Sequence, residues 1–228
     1  MWTALITSIS IGMAYPGPDD QADPAVEIDA PAQHDCSVAP FGYPKGSCEA
    51  GTKIKDLQSP GGYASSDNWP RDIDFEHELK TDSIHLLLDA DVEGEPKGYR
   101  VRLINTSGQV VPFHAVDGRL LIVQQAINRD GEWRNVEMLP SSGCGNSYHR
   151  VMLDRHQYWQ FDVPQYDGSD QTQIRYMLVI RGRAGIISNA IEGRVNTTSL
   201  LPFPIYPQSP DPVRHMPASQ FIEASKQD

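Results

Sequence analysis

Long apolar runs are missing from this 228-residue chain. A membrane-spanning helix needs about 20 consecutive apolar residues, whereas the apolar stretch at the start is broken by Thr3, Thr7, Ser8 and Ser10. No transmembrane segment is expected. Basic residues are also scarce, with 19 Lys and Arg against 30 Asp and Glu and a formal net charge of −11. Nucleic-acid binding relies on a basic footprint that releases counterions from phosphate, and docking on anionic lipid needs cationic patches. Neither partner fits this charge balance.

Cysteine is sparse, with three in the whole chain. Cys36 and Cys48 bracket a loop holding Pro40, Gly42, Pro44 and Gly46, which has little core-forming capacity of its own. A disulfide between them would stabilise that loop by roughly 3 kcal/mol through chain entropy. Zinc would demand further thiols or imidazoles close by, and only His34 is near. The pair Cys36 and Cys48 is therefore the disulfide candidate, with Cys144 left over.

Catalytic and cofactor motifs are equally thin. His77-Glu78 opens like a zincin H-E-x-x-H, but Thr81 stands where the second histidine belongs. Asp89-Ala90-Asp91-Val92-Glu93-Gly94 imitates the start of a calcium loop, yet its twelfth position is Arg100 rather than a bidentate glutamate. Asp72, Asp74, Glu76 and Glu78 make an acidic row that could face a cation, and Asp89 and Asp91 could serve a calcium-dependent adhesion module. The row is better explained as edge protection, because a charged strand resists pairing with a second molecule. Phosphate-cradling loops, a G-x-S-x-G elbow and internal repeats do not emerge. No metal and no cofactor is assigned.

What the chain does contain is turn chemistry: 18 Gly and 18 Pro. Residues 1–14 read as a signal peptide, with Gly12 and Ala14 resembling a small-residue cleavage site and a mature start near Tyr15, although no Lys or Arg precedes the apolar stretch. Residues 15–70 are acidic, rich in Pro and Gly, and loop-like. Residues 71–200 form the folded domain. Residues 201–228 are a Pro-rich tail, expected to be extended, whose Phe203, Ile205 and Tyr206 could pack back.

Within 71–200 the dominant period is two, the spacing of half-buried strands. Acids alternate with mostly apolar residues from Asp72 to Leu79. Ile84, Leu86 and Leu88, then 99–104, 110–115 and 120–127, continue the pattern. Asn128-Arg129-Asp130-Gly131 is a hairpin signal, since Asp-Gly tolerates positive φ, and Trp133 starts the return strand. In 158–163, Trp159, Phe161 and Val163 should face inward while Tyr158, Gln160 and Asp162 face out. Ile174, Tyr176, Leu178 and Ile180 lead through a glycine turn into 186–195. Short strands at this spacing predict an all-β, antiparallel sandwich.

Residues 141–151, SSGCGNSYHRV, carry the residue types of a thiolate–imidazole pair in Cys144 and His149. A nucleophilic cysteine needs its pKa lowered by a helix N-terminus or a cationic neighbour, and no helical pattern follows. Five residues of extended chain would also part the two side chains by more than about 10 Å. The stretch reads as a loop between the strand starting at Trp133 and one starting at Arg150. His149 and His156 are an odd number apart, which puts them on opposite faces of a regular strand. Asn105-Thr106-Ser107 and Asn196-Thr197-Thr198 match the glycosylation sequon.

The stretch TQIRYMLVIRGRAGIISNAIEGRV resembles the last hairpin of immunoglobulin-like or fibronectin type III-like sandwiches. The resemblance covers about residues 83–195, implies that Tyr176 is the corner tyrosine, and suggests Trp133 as the packing tryptophan. The paired core cysteines of antibody domains are absent, so the likeness is architectural, and architecture alone does not assign function. The expectation is an exported, periplasmic or extracellular, non-enzymatic interaction or structural module, with a protein or carbohydrate ligand. The alternatives are a thiol-dependent hydrolase centred on Cys144 and His149, and a calcium-dependent adhesion or inhibitor module.

Overall fold

The computed structural model describes residues 47–55, 66–90, 98–142, 145–180, 183–201 and 212–226. Strands run in chain order as β1 (Arg71–Asp72), β2 (Ser83–Asp89), β3 (Gly98–Asn105), β4 (Val111–Val116), β5 (Arg119–Leu120), β6 (Ile122–Ile127) and β7 (Trp133–Asn135). They continue as β8 (Tyr148–Leu153), β9 (Gln157–Pro164), β10 (Asp170–Ile180), β11 (Arg183–Ile187), β12 (Ile191–Val195) and β13 (His215–Pro217), followed by one helix, α1 (Ala218–Ala224). All pairings between these strands are antiparallel, in three sheets ordered β1-β9-β3-β2-β13, β11-β10-β6-β7 with β12 also on β10, and β5-β4-β8. The all-β antiparallel sandwich expected from the period-two pattern is the architecture found.

The registers follow the apolar alternation. Val101 pairs with Leu88 on one side and Phe161 on the other, and Leu103 with Leu86 and Trp159. These side chains, with Phe113, Leu153, Ile174, Tyr176 and Ile186, form one core shared by the three sheets. A one-residue slip would turn every one of them to the opposite face, so burial pins the register. The second sheet is apolar on both faces: Val123, Met177, Val179 and Ile187 make a separate cluster on the side away from the core. That explains why Met177 to Ile180 are all buried despite the alternating pattern.

Several local expectations change. The acidic alternation from Asp72 to Leu79 yields a strand of only two residues, β1, at the edge of its sheet beside β9. The stretch 120–127 breaks at Leu121, after a turn in which Asp117 and Gly118 both take positive φ. The stretch 186–195 divides into β11 and β12, both on β10, with a register shift between Leu178 and Ile180. There Gly185 lies so close to β10 that an added Cβ would fall 1.4 Å from the Leu178 carbonyl oxygen. The Asn128–Gly131 turn is as expected: β6 and β7 pair, Gly131 has φ +79°, and Asn128 Oδ1 accepts from the amides of Asp130 and Glu132 at 2.9 Å.

The two irregular ends contribute more than loop. Cys48 and Ala50 are core residues, and Glu49 pairs with Arg119 beside β5. At the other end, β13 pairs with β2, and α1 inserts Ala218 and Phe221 into the core, with Phe221 4.8 Å from Phe113 between ring centroids. The expected extended tail is thus a strand and a helix over 215–224. Proline at 217 punctuates the two, since it cannot donate to the ladder and is at home where a helix starts. Phe203, Ile205 and Tyr206 lie outside the described residues.

Candidate functional site

Within SSGCGNSYHRV, Gly145–Ser147 form a short 3-10 turn that runs directly into β8. Cys144 lies outside the described residues. His149 is buried on β8, opposite Ala115, with Nδ1 3.0 Å from the Ser147 carbonyl oxygen. The loop is stitched by Tyr148, whose hydroxyl donates to the Ser142 carbonyl at 2.9 Å and accepts from the Ser142 amide at 3.1 Å. The strand therefore starts at Tyr148, two residues before the expected Arg150. His156 sits in the next turn with φ +54° and is exposed.

The acidic candidates go to neighbours. Asp72 Oδ1 accepts from Gln157 Nε2 at 2.9 Å, Asp74 accepts from the Tyr158 hydroxyl at 3.3 Å, and Glu76 and Glu78 are exposed. Tyr158 is accordingly buried rather than outward, because Phe75 lies edge-on over its ring at 5.0 Å. Asp89 is neutralised by Arg102, whose Nη1 donates to Oδ2 at 2.5 Å; Asp91 lies outside the described residues. Among the described residues no three metal-ligating side chains gather.

Cys48 is a free thiol, so the bridge expected with Cys36 is not made; Cys36 itself lies outside the described residues. The reason is burial: pairing of residues 48–50 with the β5 region turns the side chain into the core, where cysteine behaves as a small apolar residue. Burial first, and the nearby Glu137 carboxyl second, push its pKa well up, which suppresses the reactive thiolate.

Asn105 also departs from expectation. It is fully buried, and its amide donates to the carbonyls of Gln109 at 2.8 Å and Asp154 at 3.0 Å while Oδ1 accepts from the Ser107 hydroxyl at 2.6 Å. That sequon is structural. Trp133 is not the core tryptophan either; Trp159 fills that place, while Trp133 lies half-buried under Arg175, whose guanidinium carbon is 4.0 Å from its ring centroid.

Two arrangements were not legible in the sequence. The first is internal. Glu137, just past β7, is buried, accepting from the Gln124 amide at 3.3 Å and from the Tyr166 hydroxyl at 2.5 Å. Burial pushes its pKa up to about 6 against the pull of those two bonds. Its carboxyl takes the place of a ladder partner for β6, and Cys48 and Tyr176 lie within its electrostatic reach. The Gln124 side-chain oxygen in this interior has no hydrogen-bond partner. Nothing in the spacing of Glu137 marks it, since its burial depends on a tyrosine 29 residues away.

The second is a surface cleft of about 250 Å³ beside the β6–β7 turn, lined by Asn128, Arg134, Thr197 and Leu200. Three elements build it. The turn positions Asn128 and Arg134. A 3-10 turn over Thr197–Ser199, capped by Asn196 Oδ1 accepting from the Thr198 amide, supplies Thr197. The Leu201 amide then donates to the Asn135 carbonyl at 2.8 Å and fastens this wall to β7. Asp170, at the start of β10, accepts from the Thr197 hydroxyl and amide, and those bonds hold its carboxyl below the ordinary value. Arg134 donates to Glu132 through Nη2, and among the described residues its Nε and Nη1 have no acceptor; the side chain is 28% exposed. Arg129 pairs with Asp170 and Arg134 with Glu132, while a third local acid, Asp130, accepts from Asn128 Nδ2 at 3.5 Å.

No protein-family model matches this chain, and no curated protein matches its sequence.

Proposed function

We propose that this protein is an exported, non-enzymatic interaction module of immunoglobulin-like architecture, and that it binds a neutral polyhydroxylated ligand, a carbohydrate, at the β6–β7 cleft. The observation that carries the reading is Arg134. A half-buried guanidinium with two unspent donor groups, framed by an amide, a hydroxyl and one apolar side chain, is the kind of convergent polar lining that orients a small ligand. The three surrounding acids and the chain's charge of −11 disfavour an anion, whereas sugar hydroxyls accept from arginine and asparagine without adding charge. Three chemically able groups among the described residues are occupied: Cys48 is held as a thiol, Asp89 is paired with Arg102, and Glu137 is bonded on both oxygens.

The test is titration of the full-length chain with a panel of neutral oligosaccharides, followed by Arg134→Ala and Thr197→Val. A sugar whose affinity falls at least about tenfold in both variants supports the cleft. No binding at millimolar sugar, or binding indifferent to Arg134→Ala, removes it.

A further inference from the structure

The C-terminal strand meets its sheet across a pair of stacked histidines. β13 is an edge strand of three residues, and its register sets His215 directly opposite His85 on β2. The two rings stack at 5.6 Å between centroids with 21° between planes. His85 is buried, and its Nε2 donates to the Lys80 carbonyl at 2.8 Å. Beyond the pair, β13 leads straight into α1, whose Ala218 and Phe221 close the core against Phe113.

Among the described residues, no carboxylate is counted among the groups acting on His85. The charged groups acting on His85 are His215 and Lys80, both able to carry positive charge. Its register partner on β3 is Ile104, which is apolar. On the packed elements, Glu223 of α1 is turned to Lys226 at 3.6 Å, and Arg214 donates to the Ser188 carbonyl. A positive charge on the buried His85 ring is poorly solvated and is further disfavoured by the neighbouring His215 and Lys80.

We infer that His85 and His215 form a pH-sensitive latch that keeps β13 and α1 docked at neutral pH and weakens their hold in acid. Histidine is the side chain whose charge changes in this range. Burial above all, then the neighbouring His215 and Lys80, lowers the His85 pKa from its ordinary 6.5 in the docked state. A detached β13 would let the ring titrate at that ordinary value, so the detached form binds more protons below it. Docking is therefore fully supported above about pH 6.5. It is lost progressively as pH falls from there toward the lowered docked-state pKa.

Amide hydrogen exchange of the full-length chain, corrected for intrinsic rates, tests this at pH 7.5 and 5.0. The expected result is at least tenfold loss of protection over 213–226 at the lower pH, with peptides from β3 and β9 unchanged, the loss abolished in His85→Phe and made smaller in His215→Phe. Should either variant fail to fold, His215→Gln keeps the comparison open, since it removes the charge from the half-buried member alone. Equal protection at both pH values would overturn the latch, as would a pH response that persists in His85→Phe or one left undiminished by His215→Phe or His215→Gln.

Discussion

The indole N–H of Trp159, in the middle of β9, donates to the carbonyl of Gly51 at 2.9 Å. This bond draws a segment that precedes every strand into the centre of the fold. It also satisfies a polar atom in a side chain that is otherwise fully buried. Gly51 itself has no room for a side chain, since a Cβ there would lie 2.4 Å from the Ser66 carbonyl oxygen.

Trp159→Phe removes the donor, leaves the Gly51 carbonyl unpaired and opens a void beside Phe113. The expected cost is about 2–4 kcal/mol, read as a lower urea midpoint. A loss below about 0.5 kcal/mol would mean that the N-terminal segment does not depend on this bond.

Glu137→Gln should stabilise the protein at neutral pH. The carboxyl's pKa is raised from 4.5 to about 6 in the folded state, so the unfolded chain releases its proton first. Stability then falls as pH rises between those two values and stays lower above them, by about 2 kcal/mol at most. The variant's gain in melting temperature at pH 7.5 should shrink toward zero at pH 4.5. A gain independent of pH would point to packing instead.

The thiol of Cys48 should be inert in the native state. Alkylation of the full-length protein near pH 7.5, followed by peptide mapping, should modify Cys48 at least about a hundredfold more slowly than in denaturant. The same digest reads Cys144. Rapid native labelling there would revive a thiol enzyme built with His149, and labelling at the rate of an ordinary exposed thiol would remove it.

Of the two sequons, only Asn196 can accept a glycan. Asn105 is fully buried with its amide committed to backbone carbonyls, whereas Asn196 is exposed and bonds the Thr198 hydroxyl at 2.6 Å. Expression through a glycosylating secretory host should yield a single modified site, abolished by Asn196→Gln. A glycan on Asn105 in folded protein would contradict the buried network.

The alternation of apolar residues was sufficient to place β2, β3, β9 and β10 and to identify an antiparallel sandwich. Such strands bury one face, and a period of two records that directly in the chain. The Asn128–Gly131 turn was legible for a similar local reason, because its side-chain and glycine requirements lie within a few residues. Where the determinants were distant, local pattern misled. Tyr158 sits at an outward position but is buried by Phe75, and Asn105 looks like a sequon but serves as an interior hydrogen-bonding hub. Cys48 looked like half of a disulfide until its neighbours paired with the β5 region.

Composition by itself determined that this is an acidic chain, and patterning determined its strand-rich class. Only the tertiary structure decided that 215–224 joins the fold, that Arg134 faces a cleft with donors to spare, and that His85 meets His215. Each depends on groups brought together from far along the chain, where burial and hydrogen bonding are set by packing between sheets rather than by local spacing.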